Sequence, residues 1–161
     1  MNAAQRLAFE LRIEDLSQLH REGADLNGCM LAACSAHDPE PASQKAMIQF
    51  LIGAGVPIDE TDKNGVTPLH RAVRFRSVGA VEQLLAAGAD VNVKDRRTCS
   101  SPLHRAVVLS GAPATAGKSE VAVSIVRLLL AHGADARTKN KQGKTPTDYR
   151  MSEAMSDAFR G

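Results

Sequence analysis

The string Leu84-Leu85-Ala86-Ala87-Gly88-Ala89-Asp90 returns as Leu129-Leu130-Ala131-His132-Gly133-Ala134-Asp135. It returns more loosely as Leu51-Ile52-Gly53-Ala54-Gly55 and as Leu19-His20-Arg21-Glu22-Gly23-Ala24-Asp25. The glycines fall at 23, 55, 88 and 133, at spacings of 32, 33 and 45. A second string leads the first. Thr67-Pro68-Leu69-His70 recurs as Ser101-Pro102-Leu103-His104 and, decayed, as Thr145-Pro146-Thr147-Asp148, with prolines 34 and 44 apart. A base period of 33 with loop insertions accounts for both series. Self-similarity at such a period confines a chain to repeat architectures.

Each period carries its own folding instructions. Thr67 reads as a helix N-cap whose hydroxyl accepts from a first-turn N–H. Pro68 follows at the first helical position, where its missing N–H costs nothing. Leu69, Ala72 and Val73 then share one face of a short helix. A second helix runs through Ala80, Val81, Leu84 and Leu85 at three- and four-residue spacing. Gly88 ends it at the position that favours a left-handed residue. An extended link through Val91 and Val93 completes the unit. Alone such a unit cannot bury its apolar face, whereas stacked copies can.

These residues resemble the ankyrin repeat, whose signature is Thr-Pro-Leu-His before the first helix and Gly-Ala-Asp-Val-Asn after the second, as in Gly88-Ala89-Asp90-Val91-Asn92. The resemblance covers nearly the whole chain. It implies an all-α solenoid of stacked helix-turn-helix pairs with short β-hairpin-like connecting loops, acting in protein–protein interaction. Members of the family usually have no catalytic activity.

The layers are expected at 1–28 (N-terminal cap), 29–61 (degenerate), 62–94, 95–139 with an insertion near 110–121, and 140–161 (C-terminal cap). In the first cap, Ala3 to Leu11 and Ile13 to His20 read as helices with Leu7, Leu11, Leu16 and Leu19 inward. Asn27-Gly28 runs almost directly into Met30, so the first hairpin is expected to be truncated. Ser43 is the expected N-cap of a helix reaching Ile52, and Val123 to Ala131 the second helix of layer four. The last layer offers Tyr149, Met151, Met155 and Phe159 inward.

At 161 residues the chain fits one domain, with 3% aromatics and no Trp, which suits a thin layered stack better than a large aromatic core. Three cysteines without regular spacing argue for free thiols in a reducing compartment. The start lacks the apolar run of a signal peptide, and no stretch approaches a membrane span, so the protein is expected in the cytoplasm and off the membrane. Net charge is +2 but uneven: residues 1–62 hold 4 Lys/Arg against 10 Asp/Glu, and the remainder 16 against 8. A basic half of this kind steers acidic partners.

Rival chemistries are poorly supported. Ala112-Pro113-Ala114-Thr115-Ala116-Gly117-Lys118-Ser119 approaches a phosphate-cradling loop with Ala for its first Gly. That chemistry requires a preceding buried strand, and the segment before is helical. The loop reads as a small-residue spacer, with nucleotide binding the remote alternative. His70 and His104 could be imagined as metal ligands, but the resemblance implies that this histidine bridges hydrogen bonds between its own cap and a neighbouring backbone. Cys29 and Cys34, five apart, lack zinc spacing. No catalytic arrangement stands out, and no cofactor or metal is expected.

The residues that the family pattern exposes on its concave side and hairpin tips are the candidates for binding. In the third layer these are Lys63, Asn64, Val66, Arg71, Arg74 and Phe75. In the fourth they are Arg96, Arg97, Arg105, Val108 and Leu109, and at the last hairpin Lys141, Gln142 and Lys144. Arginine suits bidentate capture of carboxylates. The expected partner is therefore an acidic protein segment, bound by a monomer along its concave face. Nucleic-acid binding through the same basic strip is the alternative, disfavoured by the scarcity of aromatics there.

Overall fold

The computed structural model describes residues 1–36, 41–108, 119–149 and 152–160. The helices are α1 (Ala3–Phe9), α2 (Ile13–Arg21), α3 (Cys29–Ala33), α4 (Pro41–Gly53), α5 (Pro68–Phe75), α6 (Val78–Ala86), α7 (Pro102–Val108), α8 (Ser119–Ala131) and α9 (Glu153–Ala158). A single 3-10 turn, Pro146–Asp148, stands where the last layer's first helix would be. Two rails result. The first helices α1, α3, α5 and α7 pack in succession and end on the 3-10 turn, while α2, α4, α6, α8 and α9 form the second rail. Within each of the first four layers the two helices also pack on each other. This is the ankyrin solenoid.

Local chemistry sets the helix ends. Thr67 Oγ1 accepts from the His70 N–H at 3.3 Å, and Pro68 opens α5. Beyond α6, Gly88 adopts φ +89°, and its own N–H and that of Ala89 donate back to the carbonyls of Leu85 and Leu84. The same closure follows Leu19, Leu51 and Leu129, so every second helix in the first four layers ends alike. Between the rails lie the fully buried Leu16, Met30, Met47, Leu51, Leu69, Leu84, Leu103, Ile125, Leu129 and Met155. Each large apolar side chain so buried contributes about 2 kcal/mol.

Two local expectations are corrected. The helix of layer two starts at Pro41, so Ser43 lies inside it and is not its cap. The helix of layer four starts at Ser119, four residues before Val123, taking in part of the expected insertion. The connecting loops are β-hairpin-like turns with no strand among the described residues, each closed by two backbone bonds: Asp62 N–H to Val66 O with Gly65 N–H to Asp62 O, Asp95 N–H to Ser100 O with Cys99 N–H to Asp95 O, and Asn140 N–H to Lys144 O with Gly143 N–H to Asn140 O. Met151 and Leu109 lie outside the described residues, as does the Ala112–Lys118 part of the small-residue loop.

The truncated first hairpin is present as expected, and a residue from the far end of layer two makes up for it. The α3 N-cap, Gly28, has no side chain to offer. The Glu60 carboxylate instead accepts from Gly28 N–H at 2.7 Å and Leu31 N–H at 2.8 Å.

A candidate protein-binding groove

The hairpins are built on one acceptor each. Asp62 Oδ1 takes the N–H groups of Asn64 (2.8 Å) and Val66 (3.0 Å), closing the turn around its own side chain. Asp95 Oδ1 takes Arg97 N–H (3.0 Å) and Thr98 N–H (2.7 Å), and its Oδ2 takes the Thr98 hydroxyl (2.6 Å) and Ser100 N–H (3.3 Å). Both carboxylates also hold an arginine from the following helix, Arg71 Nη2 at 2.9 Å and Arg105 Nη2 at 3.2 Å. Burial opposes the charge on each aspartate, but these donors outweigh it and leave both carboxyls below the usual range.

The third hairpin uses different chemistry in the same frame. Asn140 Oδ1 accepts from Gln142 N–H (2.9 Å) and Lys144 N–H (3.1 Å), while its Nδ2 donates to the Tyr149 hydroxyl at 2.7 Å. Tyr149 follows Asn140 by nine residues, as Arg71 follows Asp62. An aspartate–arginine pair has become an asparagine–tyrosine pair. Successive hairpins are further tied at their tips, Arg96 N–H to Asn64 O at 2.7 Å and Lys141 N–H to Thr98 O at 2.8 Å.

Between hairpins and helices runs an open groove of about 510 Å³. One wall is Asp62, Asn64, Val66, Asp95, Arg97, Thr98 and Ser100; the other is His70, Arg71, Arg74, His104, Arg105 and Val108. Four arginines against two aspartates leave the lining at +2 with neutral histidines. Arg71 and Arg105 are half-buried and paired, with Nε atoms that are buried and find no partner among the described residues. Arg74 and Arg97 are exposed and make no ion pair among the described residues.

Seven of the fourteen sequence candidates line this groove: Asn64, Val66, Arg71, Arg74, Arg97, Arg105 and Val108. Phe75 is 48% exposed at the end of α5, outside the lining. Lys63, Arg96, Lys141 and Gln142 are exposed along the hairpins. Lys144 is turned over the Tyr149 ring at 5.5 Å. The sequence reading missed Asp62, Asp95, Thr98 and Ser100. For the two aspartates the signal was the recurrence of an acid nine or ten residues before an arginine; Thr98 and Ser100 carried none.

The thiols of Cys29 and Cys34 are free and fully buried. Burial, then Glu60 and Asp25, pushes Cys29 up to about 11, and burial raises Cys34 as well. Among the described residues no group of His, Cys, Asp and Glu is placed to hold a metal ion, and no helix is long and apolar enough to cross a membrane.

Comparison with known proteins agrees with this geometry. The family model described as ankyrin repeats (3 copies) matches residues 1–95 and again 30–140. The chain belongs to the ankyrin-repeat family. It is 31% identical over 119 residues to ankyrin repeat and SOCS box protein 11 of Danio rerio, covering 74% of this chain and 36% of that one. It is 40% identical over 78 residues to the human 2-5A-dependent ribonuclease, 48% of this chain and 9% of the other. With neurogenic locus notch homolog protein 1 of Xenopus tropicalis it shares 39% over 87 residues, 48% of this chain and 3% of the other. The chain thus spans about a third or less of the length of these relatives. Ankyrin repeats generally mediate protein–protein interactions, and such stacks are typically non-catalytic.

Proposed function

We propose that this chain is a non-catalytic docking scaffold that takes an acidic segment of another protein into the groove between its hairpins and first helices. The observation that carries this reading is the division of labour among the four arginines. Arg71 and Arg105 are neutralised by Asp62 and Asp95 and fix the walls. Arg74 and Arg97 stand exposed without an ion pair among the described residues, giving the lining its surplus charge. Carboxylates on a partner would complete guanidiniums that have no internal counterion.

Selection of a random-peptide display library on the immobilised protein tests the reading. Acidic sequences should be enriched, and an Arg74→Glu/Arg97→Glu variant should lose them while melting at the same temperature. Enrichment of neutral or basic peptides would overturn it. So would salt-steep capture of DNA or RNA abolished by the same two changes.

A further inference from the structure

One residue past the acceptor of each hairpin stands a cation. Lys63 follows Asp62, Arg96 follows Asp95 and Lys141 follows Asn140. All three are exposed, and none makes an ion pair among the described residues. They lie outside the groove lining, on the hairpin tips. The bonds from Arg96 N–H to Asn64 O and from Lys141 N–H to Thr98 O set those tips side by side. The Arg96 stem also lies across Gly65 of the hairpin before it. The cations therefore form a row, one to a layer, along the wall that carries Arg97.

Charge rises along that row. Residues 62–66 carry no net charge, residues 95–100 carry +1 and residues 140–144 carry +2. The third hairpin has no anion because Asn140 performs the turn duty of Asp62 and Asp95 without their charge. The groove is lined by residues from Asp62 to Val108, so this most positive hairpin lies beyond it. Exposed ion pairs do little to hold a complex together. Unpaired surface charges instead raise the rate at which an oppositely charged partner arrives. None of the three hairpins contains an aromatic residue, so the row has no platform on which the bases of a single strand would stack.

Resting on the acidic-segment reading above, we propose that the partner carries further acids beyond the docked segment, on the side of the last layer, and that the row of Lys63, Arg96 and Lys141 draws them in. The row speeds capture, and Arg74 and Arg97 in the groove set how long the complex lasts.

Stopped-flow fluorescence with a labelled acidic peptide from the display selection separates this inference from the reading beneath it. The peptide is used bare and with a run of glutamates at one end or the other. Only one end points toward the last layer, and glutamates there should raise the association rate about tenfold at low salt. Lys63→Gln/Arg96→Gln/Lys141→Gln should lose that gain, melt at the same temperature and keep the dissociation rate within about twofold. Added salt should bring the two proteins to one association rate. No gain from either run of glutamates, an equal gain from both, or a variant whose loss lies in dissociation would overturn the inference while the acidic-segment reading stood. So would duplex DNA that binds the row more tightly than the flanked peptide does. Failure of every acidic peptide to bind would overturn both.

Discussion

His70 donates from Nε2 to the carbonyl oxygen of Ser100 at 3.0 Å, across 30 residues of chain. The other ring nitrogen fixes the tautomer. The Thr67 N–H can only donate, so Nδ1 accepts it at 3.2 Å and the proton resides on Nε2. His104 repeats the arrangement, with Ser101 N–H on Nδ1 at 3.2 Å and Lys144 O facing Nε2 at 3.0 Å. In each case one neutral imidazole joins a helix cap to the hairpin of the next layer.

A pH dependence follows from that neutrality. Burial first, then the Arg105 charge, lowers His70 to about 4, against the opposing pull of the Ser100 carbonyl, Asp95 and Asp62. The unfolded chain holds this proton up to its ordinary value near 6.5. Between those values the unfolded state binds more protons, so stability falls as pH drops from 6.5 to 4 and is complete above that window, with about 3 kcal/mol at stake for His70. His104 shifts the same way, also through burial. Asp62 and Asp95, held below the usual carboxylate range, lose their contribution only below about 4. Urea midpoints from pH 7.5 to 4 check this, and His70→Gln should flatten the slope by about one proton.

Much of the stack was legible because its instructions are local. Thr67, Pro68 and Gly88 act within one turn of where they stand, and the recurrence of those strings alone fixed the order of layers. What escaped the reading depends on closure over distance. Arg71 and Arg105 were placed on the right face by register, yet their pairing with Asp62 and Asp95 needs each hairpin to fold back over nine or ten residues. Glu60 was unreadable as a cap for α3 because it stands 32 residues beyond Gly28, at the far end of the same layer. Ser43 was mistaken for a cap because α4 begins two residues earlier, at Pro41, where a missing N–H is tolerated.

The fourth-layer hairpin, one residue longer than the third, puts Cys99 at φ +53°, the left-handed conformation that Gly65 takes at φ +72° in the hairpin before it. A side chain there is strained, so Cys99→Gly should raise stability by about 1 kcal/mol. Gly65→Ala should do the opposite. Its new Cβ would stand 2.8 Å from Arg96 Cγ and 3.1 Å from Arg96 N, besides the adverse φ, lowering stability by about 2 kcal/mol. Thermal melts of the two variants should therefore move in opposite directions.

Glu60 caps a helix that has no cap of its own. Removing its carboxylate leaves Gly28 N–H and Leu31 N–H without their acceptor, and the loss of a cap costs about 1–2 kcal/mol. Glu60→Ala should destabilise the protein by that amount. Hydrogen exchange should quicken first at Leu31 and its α3 neighbours, well before Leu84 and Leu129 deep in the stack. Uniform acceleration across the chain would show that the capping is not local.

The three hairpins together predict a coupling between Asp95 and Arg105. Asp95 is almost fully buried and serves four donors of its own turn besides Arg105, whose Nε already lacks a partner among the described residues. Asp95→Ala should therefore cost about 3 kcal/mol, since it strands those donors and a half-buried cation. Asp95→Asn keeps an oxygen for the turn but gives Arg105 no counterion. Asn140 performs that same turn duty with Tyr149, nine residues on, receiving its amide. Restoring that match, Asp95→Asn/Arg105→Tyr should be less destabilised than the sum of its two single variants, with a coupling of about 1 kcal/mol. Urea denaturation of the four proteins measures it. Strict additivity would mean that acceptor and helix residue are chosen independently in each layer.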